Sequence, residues 1–153
     1  MGVFVGVMVA AFLVVALAAW RKSGKPAIDP AASAAFLDRN RTAAGVTQTP
    51  SGVQYAVLQP GTGAKPTDRD AVRITYTGRL IDGTVFDRSA QPVGFGVRDV
   101  VPGFSEALKL MPVGARYRVW IPPALGYGPR GAGPIPANAV LVFDIELLGI
   151  DPA

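Results

Sequence analysis

Hydrophobic and polar positions fall into three regimes along this chain. From Gly2 to Trp20 no residue is charged, and Val, Ala, Leu, Phe and Met dominate. A helix of that length would cross the roughly 30 Å hydrocarbon core of a bilayer. Trp20 closes the run as an interfacial aromatic would, and Arg21, Lys22 and Lys25 follow. The second regime is Ala-rich. Asp29-Pro30 reads as an N-cap with Pro at the first helical position, and Gly45 reads as a C-cap. The pattern therefore predicts a stalk helix over 30–44, with Phe36 and Leu37 as its apolar anchors.

The third regime alternates with the period of half-buried strands. Val53–Leu58 is the first predicted strand. Val72, Ile74 and Tyr76 then alternate with Arg73 and Thr75, and Asp82-Gly83 marks a hairpin turn. Val85 and Phe86 begin the return, and Val93, Phe95 and Val97 alternate again. Phe104, Ala107, Leu108 and Met111 stand at i, i+3, i+4 and i+7, one face of a short helix stopped by Pro112 and Gly114. Tyr117, Val119 and Ile121 form one strand face, and Leu141, Phe143, Ile145 and Leu147 form the last. A Gly/Pro loop over 122–138 separates these two strands. The predicted class is α+β, a curved antiparallel sheet laid on one short helix so that both apolar faces share a core. The predicted organisation is a membrane anchor or signal-like segment at 1–22, a linker and stalk at 23–50, and a folded domain at 51–153.

Charge changes this picture little. The net charge is +4, but from Pro26 onward 12 Lys/Arg face 11 Asp/Glu. No basic stripe offers a nucleic-acid footprint. The chain has no Cys and no His. That composition excludes disulfides, thiol nucleophiles and a Ser-His-Asp triad.

The front segment has two readings. Its long core and its lack of an early Lys or Arg favour an uncleaved anchor, whereas Ala16-Leu17-Ala18 has the form of a cleavage site. By the positive-inside rule Arg21 and Lys22 would be cytoplasmic. Gly2 and Gly6 make a G-x-x-x-G at the end of the span, which is ordinary in membrane helices. A second glycine motif, Gly126-Tyr127-Gly128-Pro129-Arg130-Gly131, satisfies G-x-G-x-x-G. Pro134 and Pro136 deny it the helix a dinucleotide site requires, so it is read as a surface loop.

Taken together, three segments carry a specific pattern. Val72–Asp87, "VRITYTGRLIDGTVFD", resembles the first hairpin of FKBP-type prolyl isomerases. Val100–Pro122, "VVPGFSEALKLMPVGARYRVWIP", resembles that family's pocket-floor segment and helix. Leu125–Ile150, "LGYGPRGAGPIPANAVLVFDIELLGI", resembles its loop and last strand. Phe36–Gly63, "FLDRNRTAAGVTQTPSGVQYAVLQPGTG", resembles the entry of the bacterial macrophage-infectivity-potentiator branch. The likeness spans about residues 51–150.

The resemblance implies isomerisation of X–Pro bonds in folding polypeptides, without cofactor or metal, in the bacterial envelope. It implies catalytic roles for Tyr76, Asp87 and Tyr127, and a substrate-binding lining of Phe86, Val100, Val101, Phe104, Ile135 and Phe143. In the family, the backbone N–H at the Val101 position and the Tyr127 hydroxyl donate to ligand carbonyls. The Asp87 carboxylate joins the polar contacts, and the ring at 104 is the floor under the prolyl ring. Three positions depart from the pattern. Position 104, most often Trp, is Phe here; position 93, often aromatic in eukaryotic members, is Val; position 132, His in some members, is Ala. A macrolide ligand is implied, bound less tightly than by typical members. A non-catalytic chaperone or proline-peptide-binding module on the same fold is the alternative. Residues 30–44 are too short for the long helical arm through which members of this branch dimerise. The family works outside the inner membrane, which opposes the orientation the flanking charges favour.

The residue set suits the reaction. The C–N bond resists rotation by about 18–20 kcal/mol because it has partial double-bond character. The planar amide is more charge-separated than the twisted one and loses more when water is removed. An apolar aromatic cup therefore lowers the barrier, and a few donors hold the carbonyls in the twisted geometry. No bond breaks and no proton moves.

Overall fold

A computed structural model describes residues 24–151. The candidate anchor at 2–20 lies outside the described residues, and among those described no helix is long and apolar enough to cross a membrane.

Among the described residues seven strands form one antiparallel sheet: β1 (Val46–Gln48), β2 (Gln54–Gln59), β3 (Ala71–Arg79), β4 (Val85–Arg88), β5 (Val93–Gly96), β6 (Arg116–Ile121) and β7 (Leu141–Asp151). Their order is β1-β2-β6-β7-β3-β4, with β5 also paired to β3. The outer edge of β3 is thus shared. Its first half pairs with β5, Ile74 opposite Val93, and its second half with β4, Thr77 opposite Arg88. Tyr76 sits at the changeover. Its N–H donates to Ser89 Oγ at 2.9 Å, and its carbonyl accepts from Ser89 N–H at 2.9 Å.

The alternation decides the faces. Val72, Ile74 and Tyr76 on β3, Val119 and Ile121 on β6, and Leu141, Phe143, Ile145 and Leu147 on β7 are all buried. Helix α2 (Pro102–Leu110) lies across this concave face. Phe104, Ala107, Leu108 and Met111 have no solvent exposure, so the predicted helical stripe is the stripe that packs. Gly103 lets the helix approach, since a Cβ there would collide with the Ile121 side chain. The convex face is polar. Asp144 on β7 accepts from Arg118 Nε at 2.7 Å and from Arg79 Nη1 at 3.2 Å. Burial opposes ionisation of Asp144, but hydrogen bonds from the two arginines hold its carboxyl below the usual range.

Helix α1 (Pro30–Asn40) is capped as its sequence predicts, Asp29 Oδ1 accepting from Ala31 N–H at 2.9 Å. It ends at Asn40 rather than at 44, in a turn where Arg41 N–H reaches Leu37 O at 3.0 Å. It is not a free stalk. Ser33, Phe36, Leu37 and Asn40 turn one face to the domain, and Ser33, not an apolar residue, is the buried one. Strand β1 is absent from the predicted elements. It pairs with β2, Thr47 opposite Tyr55.

Candidate active site

Strands β3, β4 and β7, helix α2 and the loop before β7 bring the predicted residues to one place. Tyr76, Val100, Val101, Phe104, Ile135 and Phe143 belong to the buried core cluster, with Phe86 and Tyr127 packed against it. Four rings make the centre. Phe104 meets Phe143 edge-on, with centroids 4.9 Å apart and planes at 87°. Phe86 meets Phe143 in the same way at 5.5 Å and 88°. Tyr76 stands edge-on to Phe104 at 6.0 Å. Edge-to-face pairs set a positive ring edge against a negative face and fix orientation as well as area.

Gly78 permits this cluster. It pairs with Phe143 on one side and Asp87 on the other. A Cβ there would lie 2.7 Å from both Phe143 Cε1 and Phe86 Cζ. Neither ring can retreat without breaking its contact with the other. Gly78→Ala is expected to cost about 1–3 kcal/mol through overpacking and to reduce turnover. An unchanged urea midpoint and an unchanged rate would show that the rings relax freely.

The polar side of the cup is Asp87 on β4. It is 7 % exposed and accepts from Tyr76 Oη at 2.9 Å. Burial pushes its carboxyl up to about 7, against the hydrogen bonds from Tyr76 and the Arg88 backbone, which favour the carboxylate. Burial also raises the Tyr76 and Tyr127 phenols, and the nearby Asp87 charge raises both further. Both phenols are therefore protonated donors at neutral pH, beside a carboxyl that titrates there.

The other predicted residues are placed as follows. Val101 caps α2, and its carbonyl accepts from Ser105 N–H at 3.0 Å. Ile135, fully buried, closes a tight turn through reciprocal backbone bonds with Ala132 of 2.9 and 2.8 Å. Phe86 and Tyr127 are half-buried, whereas Phe104 is wholly covered. Sequence reasoning left Phe95, Gly78 and Ser89 out of the site. Phe95 packs 6.0 Å from Tyr76, and its inward place in the Val93/Phe95/Val97 alternation was the available signal. Ser89 carried no signal, because its partner is the backbone of Tyr76.

Fold and site together define a sheet wound about one helix, with a buried aromatic cluster on its concave side. That description matches a known class. The model of the FKBP-type peptidyl-prolyl cis-trans isomerase family matches residues 62–148, and that of the domain amino-terminal to it matches residues 17–57. FkpA of Aeromonas hydrophila, an FKBP-type peptidyl-prolyl cis-trans isomerase, is 50 % identical over 119 residues, covering 76 % of this chain and 44 % of that protein. The outer membrane protein MIP of Legionella longbeachae is 47 % identical over 123 residues, covering 78 % and 53 %. Among solved structures, a peptidyl-prolyl cis-trans isomerase from Pseudomonas syringae superposes with a TM-score of 0.79 at 39 % identity, covering 84 % of this chain and 99 % of that one. FkpA from Escherichia coli gives 0.77 at 39 % identity, covering 80 % and 59 %. The chain belongs to the FKBP-type peptidyl-prolyl cis-trans isomerase family. It spans about half the length of the curated relatives it matches.

Proposed function

We propose that this chain accelerates cis–trans isomerisation of X–Pro bonds in unfolded or nascent polypeptides. The observation that carries the reading is the cluster of edge-to-face rings, Phe86, Phe104 and Phe143, bordered by the Tyr76–Asp87 pair and by Tyr127. The rings offer a prolyl group an environment that solvates the planar amide poorly. Tyr127 Oη and the Val101 N–H are the donors for the substrate carbonyls, and Asp87 orients the polar side. Phe104 is fully covered, whereas Phe86 and Tyr127 are half-buried and are the ring residues of the site that an incoming prolyl group meets first. The smaller Phe104 floor also supports weaker macrolide binding than in members with Trp.

The test is exchange of a proline-containing tetrapeptide, which takes tens to hundreds of seconds unaided. The full chain is expected to shorten it, and no acceleration would overturn the reading. Asp87→Ala and Tyr127→Phe should each lower turnover with the fold intact. Full activity in both would remove these residues from the polar contacts. The Phe104 departure favours a second reading, a non-catalytic proline-peptide-binding module. That reading expects binding of the tetrapeptide without faster exchange.

Residues 2–20 support a single inner-membrane span. The likeness to the outer membrane protein MIP supports a periplasmic domain, against the orientation that Arg21 and Lys22 favour. Cleavage near Ala18 would instead leave a free periplasmic domain. A topology reporter fused after Ala153, read with the mass of the mature N-terminus, separates these.

A further inference from the structure

The loop that carries Tyr127 and Ile135 is held from outside the domain core. Its last residue, Asn138, has φ +65°, a left-handed conformation that Asn tolerates better than most residues. Asn138 makes three bonds in three directions. Its backbone N–H donates to Gly128 O at 2.9 Å, at the base of the loop beside Tyr127. Its side-chain Nδ2 donates to Ile28 O at 3.1 Å, across 110 residues of sequence. Its carbonyl accepts from Ser33 Oγ at 2.6 Å, across 105 residues. The neighbouring Ala137 carbonyl accepts from Ile28 N–H at 2.9 Å. Residues 28 and 33 thus grip the loop's closing residues through three hydrogen bonds.

The grip is polar, and its other end is anchored separately. Ser33 is 2 % exposed and is the buried residue of α1. At the far end of the helix, Gln54, with no exposure, donates Nε2 to Leu37 O at 2.8 Å and accepts from Asn40 Nδ2 at 2.8 Å. Helix α1 adds little apolar burial to the core cluster, which Ile28 touches and no residue of α1 joins. Such an element contributes placement more than bulk stability, because a net hydrogen bond is worth far less than a buried aromatic ring.

We propose that Ser33 and Asn138 are positioning residues for the isomerase site. They hold the 126–138 loop in the arrangement that presents Tyr127 and Ile135 to the cup. The inference rests on the proposed prolyl-isomerase reading for its kinetic consequence, but not for its structural one. When the clasp is broken, the loop samples other arrangements, and a substrate binds only the fraction correctly placed. Apparent affinity falls by that fraction, while bound substrate turns over as before.

The test uses Ser33→Ala and Asn138→Asp in the full chain. The first removes the hydroxyl donor. The second keeps the side chain's shape and its tolerance of positive φ but cannot donate to Ile28 O. Each is expected to raise KM about threefold to tenfold, the effect of one lost hydrogen bond on the loop's placement, with kcat within about twofold. Hydrogen exchange followed by mass spectrometry should show faster exchange in 126–138 and unchanged protection in β3, β6 and β7. Unchanged loop exchange in both variants would overturn the proposal. So would exchange that rises equally in the sheet, or a fall in kcat with KM constant. If the parent chain fails to accelerate prolyl exchange, the functional reading falls alone, and the loop-exchange comparison still decides the clasp.

Discussion

Phe104→Ala is expected to destabilise the domain by roughly 3–5 kcal/mol, the usual cost of deleting a buried ring. The reason is where the ring lies. It has no solvent exposure, meets Phe143 at 4.9 Å and Tyr76 at 6.0 Å, and sits on the one helix that fills the concave side of the sheet. Collapse around the cavity is restricted, because the neighbouring rings are held by Phe86, Asp87 and the pairing of β3 with β7. Against the usual margin of about 5–15 kcal/mol, such a loss removes much of the stability. A urea titration measures it, and the rate of prolyl exchange under folding conditions should fall in the same variant. A loss below about 1 kcal/mol would mean that helix and sheet close over the gap, and that Phe104 is not the support beneath the cup.

The second large effect is on pH dependence. Asp87 ionises near 3.8 in an unfolded chain and near 7 when folded. Between those values the folded protein holds a proton that the unfolded chain releases. Stability is therefore fully present below about pH 4, falls as pH rises, and levels off above about pH 7. The full shift corresponds to at most about 4 kcal/mol. Asp87→Asn keeps an acceptor for Tyr76 Oη and cannot ionise, so the slope between pH 4 and 7 should vanish. Above pH 7 the variant should be more stable than the parent. The window is clean. The chain has no His or Cys. Asp68, Asp82 and Asp144 are all shifted downward, so their contributions are lost only in more acid solution. Urea midpoints at pH 5, 6, 7 and 8 measure the effect. Equal slopes in parent and variant would assign the pH dependence to another group.

What the sequence disclosed follows the strength of its local signals. The inward alternations on β3, β6 and β7 and the 104/107/108/111 stripe were legible because each sets three or four buried apolar side chains at a fixed period. The Asp82-Gly83 turn was legible because its chemistry is local, Thr84 N–H bonding to Asp82 Oδ1 at 2.9 Å. Strand β1 was not legible. Its three residues, Val46, Thr47 and Gln48, lie at the sheet edge with almost no apolar burial. The docking of α1 was hidden for a related reason. Periodicity points to Phe36 and Leu37, but the contacts run through Ser33, Asn40 and Gln54, polar residues that a search for apolar faces passes over.

The site divides in the same way. Tyr76, Asp87 and the three Phe residues stand on regular strands or the helix, so pattern and motif placed them together. Tyr127 and Ile135 lie in an irregular loop whose shape depends on bonds to residues about a hundred positions away. Gly78 appears in the motif, but only the crowding of Phe86 and Phe143 shows why no side chain fits there.

The position of β7 bears on how the molecule comes to be assembled. The last strand lies between β3 and β6, and Thr75 on β3 meets Glu146 on β7 across 71 residues. A nascent chain therefore carries two unsatisfied strand edges until residues 141–151 have been synthesised. Such edges are templates for mispairing, and closing loops of this length places folding on the slower, millisecond-to-second side of small domains. Phe143 arrives on the same strand. Insertion of β7 thus closes the sheet and completes the ring cluster in one event, so a chain that still lacks β7 cannot hold it.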